Sequence, residues 1–399
     1  MGAPPHSKVR QDIRELNPRV IEARREFHQH PELSWEEHDT QVRILRRLSA
    51  IPGLEDVRPI ARTGATAFVR GNGEPCVVWR ADIDALPVPE KSGLPFASQN
   101  PGVMHACGHD AHIAIALGIA ELLAADPSAL PGSVRFVFQP AEESCGGAEA
   151  CIADGVLDVP HVARALGLHI SADLAIGSVN VAPGPFFAAP TTFTLELSGL
   201  GGHAAAPHQA VDSVVVAAHL VTALQTVVSR SIAPMETVVL TVGKLEAGYR
   251  GNVIAESATL SGTIRTYTDA MRDLTIRRVE EIAAGVCAAF GASFTLAHDT
   301  TCPPLVNDDH VTSIVRAEAE AFFGAGHVVA APSMGAEDMS VFLEARPGCY
   351  FWLGARNEAR EIAGRHHDAA FAIDEDALAL GVEFGARVIE ANLRDLAQS

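Results

Sequence analysis

Nine residues, Met104 to His112, hold a thiol, three imidazoles and a carboxylate. Nothing else in the chain concentrates metal-binding chemistry so tightly. Cys107 and His109 stand two apart, which suits a strand or loop, where such side chains point the same way, and not one face of a helix. Two donors cannot complete a site. The sequence supplies more. Gln139-Pro140-Ala141-Glu142-Glu143 follows a short apolar run, and its adjacent carboxylates point in different directions. One can bind a metal ion while the other moves a proton. Gly167-Leu168-His169 closes another apolar run, and His366-His367 lies near the C-terminus. Cys107, His109, Glu143, His169 and one histidine of the last pair make five donors. That exceeds what one catalytic zinc needs, because such a site keeps an open position. It suits two ions about 3.5–4 Å apart. Asp84, in Asp82-Ile83-Asp84, is read either as a turn cap before Pro87 or as an acceptor that orients a metal-binding histidine. His105 and His112 have weaker claims as ligands.

The elements that must position these groups follow from periodicity. Cys76–Asp82, Val134–Phe138 and Ala163–Ile170 read as strands. Ile13–Phe27, Glu36–Leu48 and Asp110–Ala125 read as helices. This alternation predicts an α/β layer with a largely parallel sheet, whose carboxyl ends bind ligands. From about Pro190 the pattern becomes β-α-β-β-α-β, the split arrangement of a ferredoxin-like α+β domain. After Pro303-Pro304 the α/β pattern resumes, with a closing helix over Glu375–Leu393. The expected division is residues 1–187 and 301–399 for a split α/β domain and 188–300 for an inserted α+β domain. That insert carries His203 among small residues, then Asn252 and Arg265. An Asn and an Arg there could hold a substrate carboxylate, the Arg bidentately. Arg265 reads equally well as a surface residue in an ion pair.

The 399 residues carry a formal net charge of −19, which argues against nucleic acid and anionic membrane as partners. No apolar run is expected to reach membrane-spanning length. The Met1–Gln11 stretch lacks the apolar core of a signal peptide. Seven cysteines at irregular spacing point to a reducing compartment, hence the cytoplasm.

Taken together, Arg25–Ser34, Arg80–Pro87, Met104–His112, Phe138–Glu143, Gly167–His169, Gly201–His208, Asn252–Ile254, Gly262–Arg265 and Met334–Asp338 resemble, in order, the hippurate hydrolase and indole-acetyl-amino-acid hydrolase family. These metal-dependent amidohydrolases are relatives of the aminoacylases and glutamate carboxypeptidases. The resemblance implies that residues 1–187 and 301–399 form a di-metal catalytic domain and 188–300 an inserted lid or dimerisation domain, with two divalent ions, Zn or Mn with Co or Ni as further options, on Cys107, His109, Glu143, His169 and the C-terminal histidine. It implies Glu142 as general base and acid, His203 near the scissile carbonyl, and Asn252 and Arg265 on the substrate. It also implies hydrolysis of N-acyl amino acids, with N-acetyl, N-benzoyl or aryl-acetyl groups, by a homodimer or homotetramer assembled through the lid. In relatives the histidine reaches the site by lid closure or from a second subunit. The C-terminal motif departs from the family pattern. No Pro follows the histidines, and counting back from Phe371 selects His367, whereas a slip selects His366. Met339 stands where the family commonly has Phe. Other readings are a dipeptidase or aromatic deaminase on the same scaffold, an inactive binding protein, and a thiol enzyme using Cys107. The last leaves Glu142, Glu143 and His169 unexplained.

Overall fold

The computed structural model describes residues 9–362 and 364–398. The expectation for Met1–Gln11 therefore falls largely outside the described residues. The chain divides into two compact units. One comprises Met1–Gly184, Val306–Pro332 and Asp338–Ser399; the other comprises Pro185–Leu305 with Ser333–Glu337. Nothing in the hydrophobic pattern signals the short return over 333–337.

The larger unit is built on an eight-stranded sheet, ordered Leu54–Ile60, Gly64–Val69, Ser133–Gln139, Cys76–Asp82, Arg164–Ala175, Gly348–Arg356, Val179–Asn180 and Val328–Val329. Its centre is parallel: Cys76–Asp82 pairs in parallel with both Ser133–Gln139 and Arg164–Ala175, and the latter with Gly348–Arg356. The first two strands join antiparallel. They belong to the mixed edge that the periodicity did not predict. The central strands are buried on both faces, which explains why they read as continuous apolar runs instead of alternating ones. Helix His109–Ala125 is buried almost throughout and packs with Gln11–Gln29 and Asp376–Leu396 over the sheet. Arg164–Ala175 continues past His169, so that residue sits within the strand and not at its end.

The smaller unit is a four-stranded antiparallel sheet ordered Val238–Ala247, Ser257–Thr266, Ala189–Ser198 and Ser293–Thr300, with helices Ser213–Thr226 and Asp269–Phe290 packed on it. This is the α+β fold the sequence pattern predicts. Ser213–Ser231 is, by length and composition, apolar enough to cross a membrane, contrary to expectation. Its Val216, Ala217, Leu220 and Leu224 are buried in the core of this unit.

Candidate two-metal site

The sheet topology explains how donors far apart in sequence converge. Asp82 ends one central strand and Gln139 its parallel neighbour, so the loops leaving them emerge side by side. Between them enters Cys107-Gly108-His109. Gly108 has φ +89, and a Cβ there would stand 2.4 Å from the Ile170 side chain. Only glycine lets the loop turn into the following helix this close to the next strand.

The five expected donors meet. Cys107, His109 and His169 form one triad, and Cys107, Glu143 and His367 a second, with ligand atoms inside each within 4.8 Å of one another. Cys107 belongs to both. Its Sγ lies 3.5 Å from His169 Nε2. His367 Nε2 lies 3.6 Å and His109 Nε2 3.9 Å from Glu143 Oε1. Glu142 joins His109 and Glu143 in a third group of the same tightness.

The two C-terminal histidines behave differently. His366 Nε2 accepts the Ala172 N–H at 3.1 Å, and its ring packs on Phe371. Its Nδ1 stands 3.9 Å from Cys107 Sγ. His367 has φ +63 and donates its N–H to the Ala106 carbonyl at 2.8 Å, a turn that brings its ring to Glu143.

Hydrogen bonding fixes the tautomers. His109 Nδ1 donates to the Asp84 carbonyl at 2.9 Å, and His169 Nδ1 donates to the Ile170 carbonyl at 2.7 Å. Each ring therefore turns Nε2 toward the cluster. His112 is saturated: Nε2 accepts the Ile170 N–H at 2.8 Å and Nδ1 donates to Asp82. Asp82 is held in turn by Arg80, which also grips Gln139 and Asp338. His105 is buried with neither ring nitrogen bonded, and burial drives its pKa down to about 4. Neither His105 nor His112 joins a group containing Cys107.

Asp84 accepts from His109, as one of its two expected readings has it, but through the backbone. Its carbonyl, not its carboxylate, takes the His109 proton; the carboxylate lies 3.4 Å from Nδ1. The carboxylate instead accepts the N–H groups of Glu142 at 3.1 Å and Glu143 at 3.0 Å and the Ser34 hydroxyl at 2.6 Å. The sequence gives no sign of this, because any residue supplies a backbone N–H.

Two buried atoms, His109 Nε2 and Glu143 Oε1, have no hydrogen-bond partner. Leaving such atoms unpaired is costly, and a cation between them relieves it. The electrostatics agree. Burial, then Glu143, Glu142 and Asp82, push the Cys107 thiol well above its usual range. Burial raises Glu143 to about 7. Burial opposes charge on His109, but Asp82, Asp84 and Glu143 outweigh it and raise the ring to about 10. The pocket thus demands positive charge, which divalent ions supply while displacing these protons. A free nucleophilic cysteine needs the opposite, a depressed pKa. The donor set fits two divalent ions.

In the smaller unit, His203 and Val253 pair in a two-residue ribbon, and the Ala204 N–H donates to the Asn252 carbonyl at 3.3 Å. His203 Nδ1 accepts the Ala205 N–H at 3.0 Å, so the neutral ring carries its proton on Nε2, which is then a donor. Arg265 is elsewhere. It lies opposite Pro190, where the chain enters the unit, whereas Ser257, opposite Ser198, adjoins the ribbon. Eight residues of strand separate the two ends, about 27 Å. The structure brings His203 and Asn252 together and leaves Arg265 apart.

An α/β scaffold with five convergent donors and an extra carboxylate defines a two-metal hydrolase. The chain belongs to peptidase family M20/M25/M40, whose model matches residues 78–391. It is 40% identical over 367 residues to the N-acetyl-L-cysteine deacetylase of Bacillus subtilis (strain 168), covering 91% of this chain and 85% of that protein. It is 38% identical over 368 residues to the N-acetyldiaminopimelate deacetylase of Shouchella clausii (strain KSM-K16), covering 91% and 96%. Among solved structures, the Bacillus subtilis YXEP protein, described as a dinuclear metal binding peptidase from the M20 family, matches with a TM-score of 0.82 and 32% identity, over 96% of this chain and 99% of that one.

Proposed function

We propose that this protein hydrolyses the amide bond of N-acyl amino acids, releasing a carboxylic acid and a free amino acid. The observation that carries the reading is the Glu142 carboxylate, standing within 4.8 Å of donor atoms on His109 and Glu143. The names of the deacetylase relatives favour a small acyl group such as acetyl over the benzoyl and indole-acetyl groups of the hippurate hydrolase subfamily. Cys107, His109, Glu143, His169 and His367 would hold the two ions, with Cys107 shared. Bound ions supply Lewis-acid activation of water and of the scissile carbonyl. A thiolate among imidazoles favours Zn, Co or Ni, and the family resemblance adds Mn.

Glu142 takes the proton of the attacking water and returns it to the leaving nitrogen. The Nε2–H of His203 donates to the carbonyl oxygen as charge develops there. Asn252 and Arg265 bind the substrate carboxylate. Because Arg265 lies about 27 Å along the sheet from the His203–Asn252 ribbon, one chain does not offer all three to one substrate. This supports a homodimer or homotetramer assembled through the lid, in which a neighbour contributes one of the two sets. The exposed Val214, Val215 and Val228 on its apolar helix support the same reading. A monomer in sedimentation velocity at assay concentrations would overturn it. Seven cysteines without a disulfide support a cytoplasmic setting.

The function is tested with Glu142→Gln on a panel of N-acetyl, N-benzoyl and indole-acetyl amino acids, with Zn and Mn added separately. The variant retains its metal by elemental analysis while kcat falls by about 100-fold or more. A variant of near-full activity removes Glu142 as the base. A wild-type enzyme inactive on every acyl amino acid, but active on dipeptides, moves the reading to a dipeptidase.

A further inference from the structure

Three carboxylates hold the loop that carries Glu142. Asp338 receives the Gln139 side chain and the Ala148 N–H, and Asp84 receives the N–H groups of Glu142 and Glu143. The third is Glu37, just ahead of helix His38–Ser49 and fully buried. Its Oε1 accepts the Ala141 N–H at 2.8 Å, and its Oε2 accepts the Thr63 hydroxyl at 2.6 Å.

Ala141 has φ +54. A residue with a Cβ enters this left-handed region only at a cost and stays there when its surroundings enforce it. The strained residue is the one immediately before Glu142. The φ of Ala141 sets the angle between the peptide before it, held by Glu37, and the peptide joining it to Glu142, held by Asp84, so relaxation to negative φ once the Glu37 bond is lost shifts the Glu142 side chain. A hydrogen bond to a buried carboxylate is of the strong, charge-assisted kind and opposes that relaxation. Glu37 therefore acts at the point where loop geometry decides where Glu142 points.

We propose that Glu37 is a positioning residue for Glu142: by holding the Ala141 N–H it maintains the left-handed turn that aims the base at the proton it transfers. This rests on Glu142 being the base. Asp84 anchors both the base Glu142 and the metal-binding residue Glu143 by their N–H groups, whereas Glu37 anchors only the residue before the base. Losing Glu37 is thus expected to harm turnover before metal content.

The test uses the full-length, metal-loaded protein. Glu37→Leu keeps the volume and removes both acceptors. Glu37→Gln keeps one oxygen for the Ala141 N–H and offers its amide to the Thr63 hydroxyl oxygen. Ala141→Gly removes the Cβ that makes positive φ costly. Glu37→Leu is expected to keep the metal content of wild type by elemental analysis and to leave KM within about twofold, while kcat falls about 100-fold, the loss that follows a misplacement of ~1 Å. Glu37→Gln keeps most activity. Adding Ala141→Gly to Glu37→Leu restores kcat by about tenfold or more, a rescue that a general packing defect would not show. Ala141→Val, whose branched side chain resists positive φ, reproduces the kcat loss with metal retained. It therefore serves as the decisive variant should Glu37→Leu fail to fold. A Glu37→Leu kcat within about twofold of wild type, an absent rescue, or a fully active Ala141→Val each overturns the positioning role. Glu142→Gln separates the two readings. If it is fully active, the base assignment itself falls; if it is inactive while Glu37→Leu is unaffected, only the positioning role falls.

Discussion

Replacing Asp84 by Asn alters one atom type at the hub of the site. The carboxylate is buried and accepts three bonds: Glu142 N–H on Oδ1, and Glu143 N–H and the Ser34 hydroxyl on Oδ2. An Asn side chain has one oxygen. Whichever way its amide is turned, an NH2 group faces a backbone N–H and at least one buried donor is orphaned. That costs about 1–3 kcal/mol, and the remaining bonds lose charge assistance worth roughly another 1 kcal/mol. The expected destabilisation is about 2–4 kcal/mol. All three tryptophans, Trp35, Trp79 and Trp352, lie in the larger unit, so fluorescence-detected urea unfolding reports that unit by itself. The comparison belongs in chelator-treated protein, because bound metal adds its own stabilisation to the native state. The midpoint is expected to fall at unchanged slope. A shift equivalent to less than about 0.5 kcal/mol would show that the Asp84 bonds do not restrain the loop.

Metal stoichiometry separates the histidines. Cys107→Ala, which removes the donor common to both triads, is expected to lower the metal content below that of any single-histidine variant. His367→Ala is expected to lose metal and His366→Ala to keep it, because His366 Nε2 is already bonded to the Ala172 N–H; the reverse order from elemental analysis would exchange their roles. The pH dependence of stability reports His28. Its ring lies 2.9 Å from Asp110 and 3.2 Å from Glu90, with Arg24 also facing it. Burial opposes its charge, but Asp110 and then Glu90 outweigh burial and Arg24, and raise its pKa. A raised folded value means the stabilisation is complete below the ordinary value of about 6.5 and is lost as pH rises through the folded one. Wild type is therefore expected to lose stability as pH rises above about 6.5 and His28→Gln to lose less. Parallel urea midpoints for the two across pH 6–9 would refute it.

Local chemistry was legible in the sequence. The donors cluster in short motifs at the ends of apolar runs, and such runs are what central parallel strands must look like when both faces are buried. Cys107, His109, Glu143 and His169 could be found this way because each motif is read within a few residues. The smaller unit was legible for the same reason: its strands alternate and its helices repeat. What the sequence could not carry were relations set by pairing across the fold. Counting back from Phe371 selected His367, but the contact that occupies His366, an N–H from Ala172 in a strand 194 residues earlier, left no mark in the sequence. The separation of Arg265 from Asn252 is a matter of strand register. Asp84 and Glu37 act on backbone N–H groups, which every residue but proline has, so no motif marks their targets. The sequence by itself determined which atoms could bind metal and move protons. Only the tertiary structure decided which of them meet and what holds them there, because those contacts depend on sheet order and loop geometry and not on residue type.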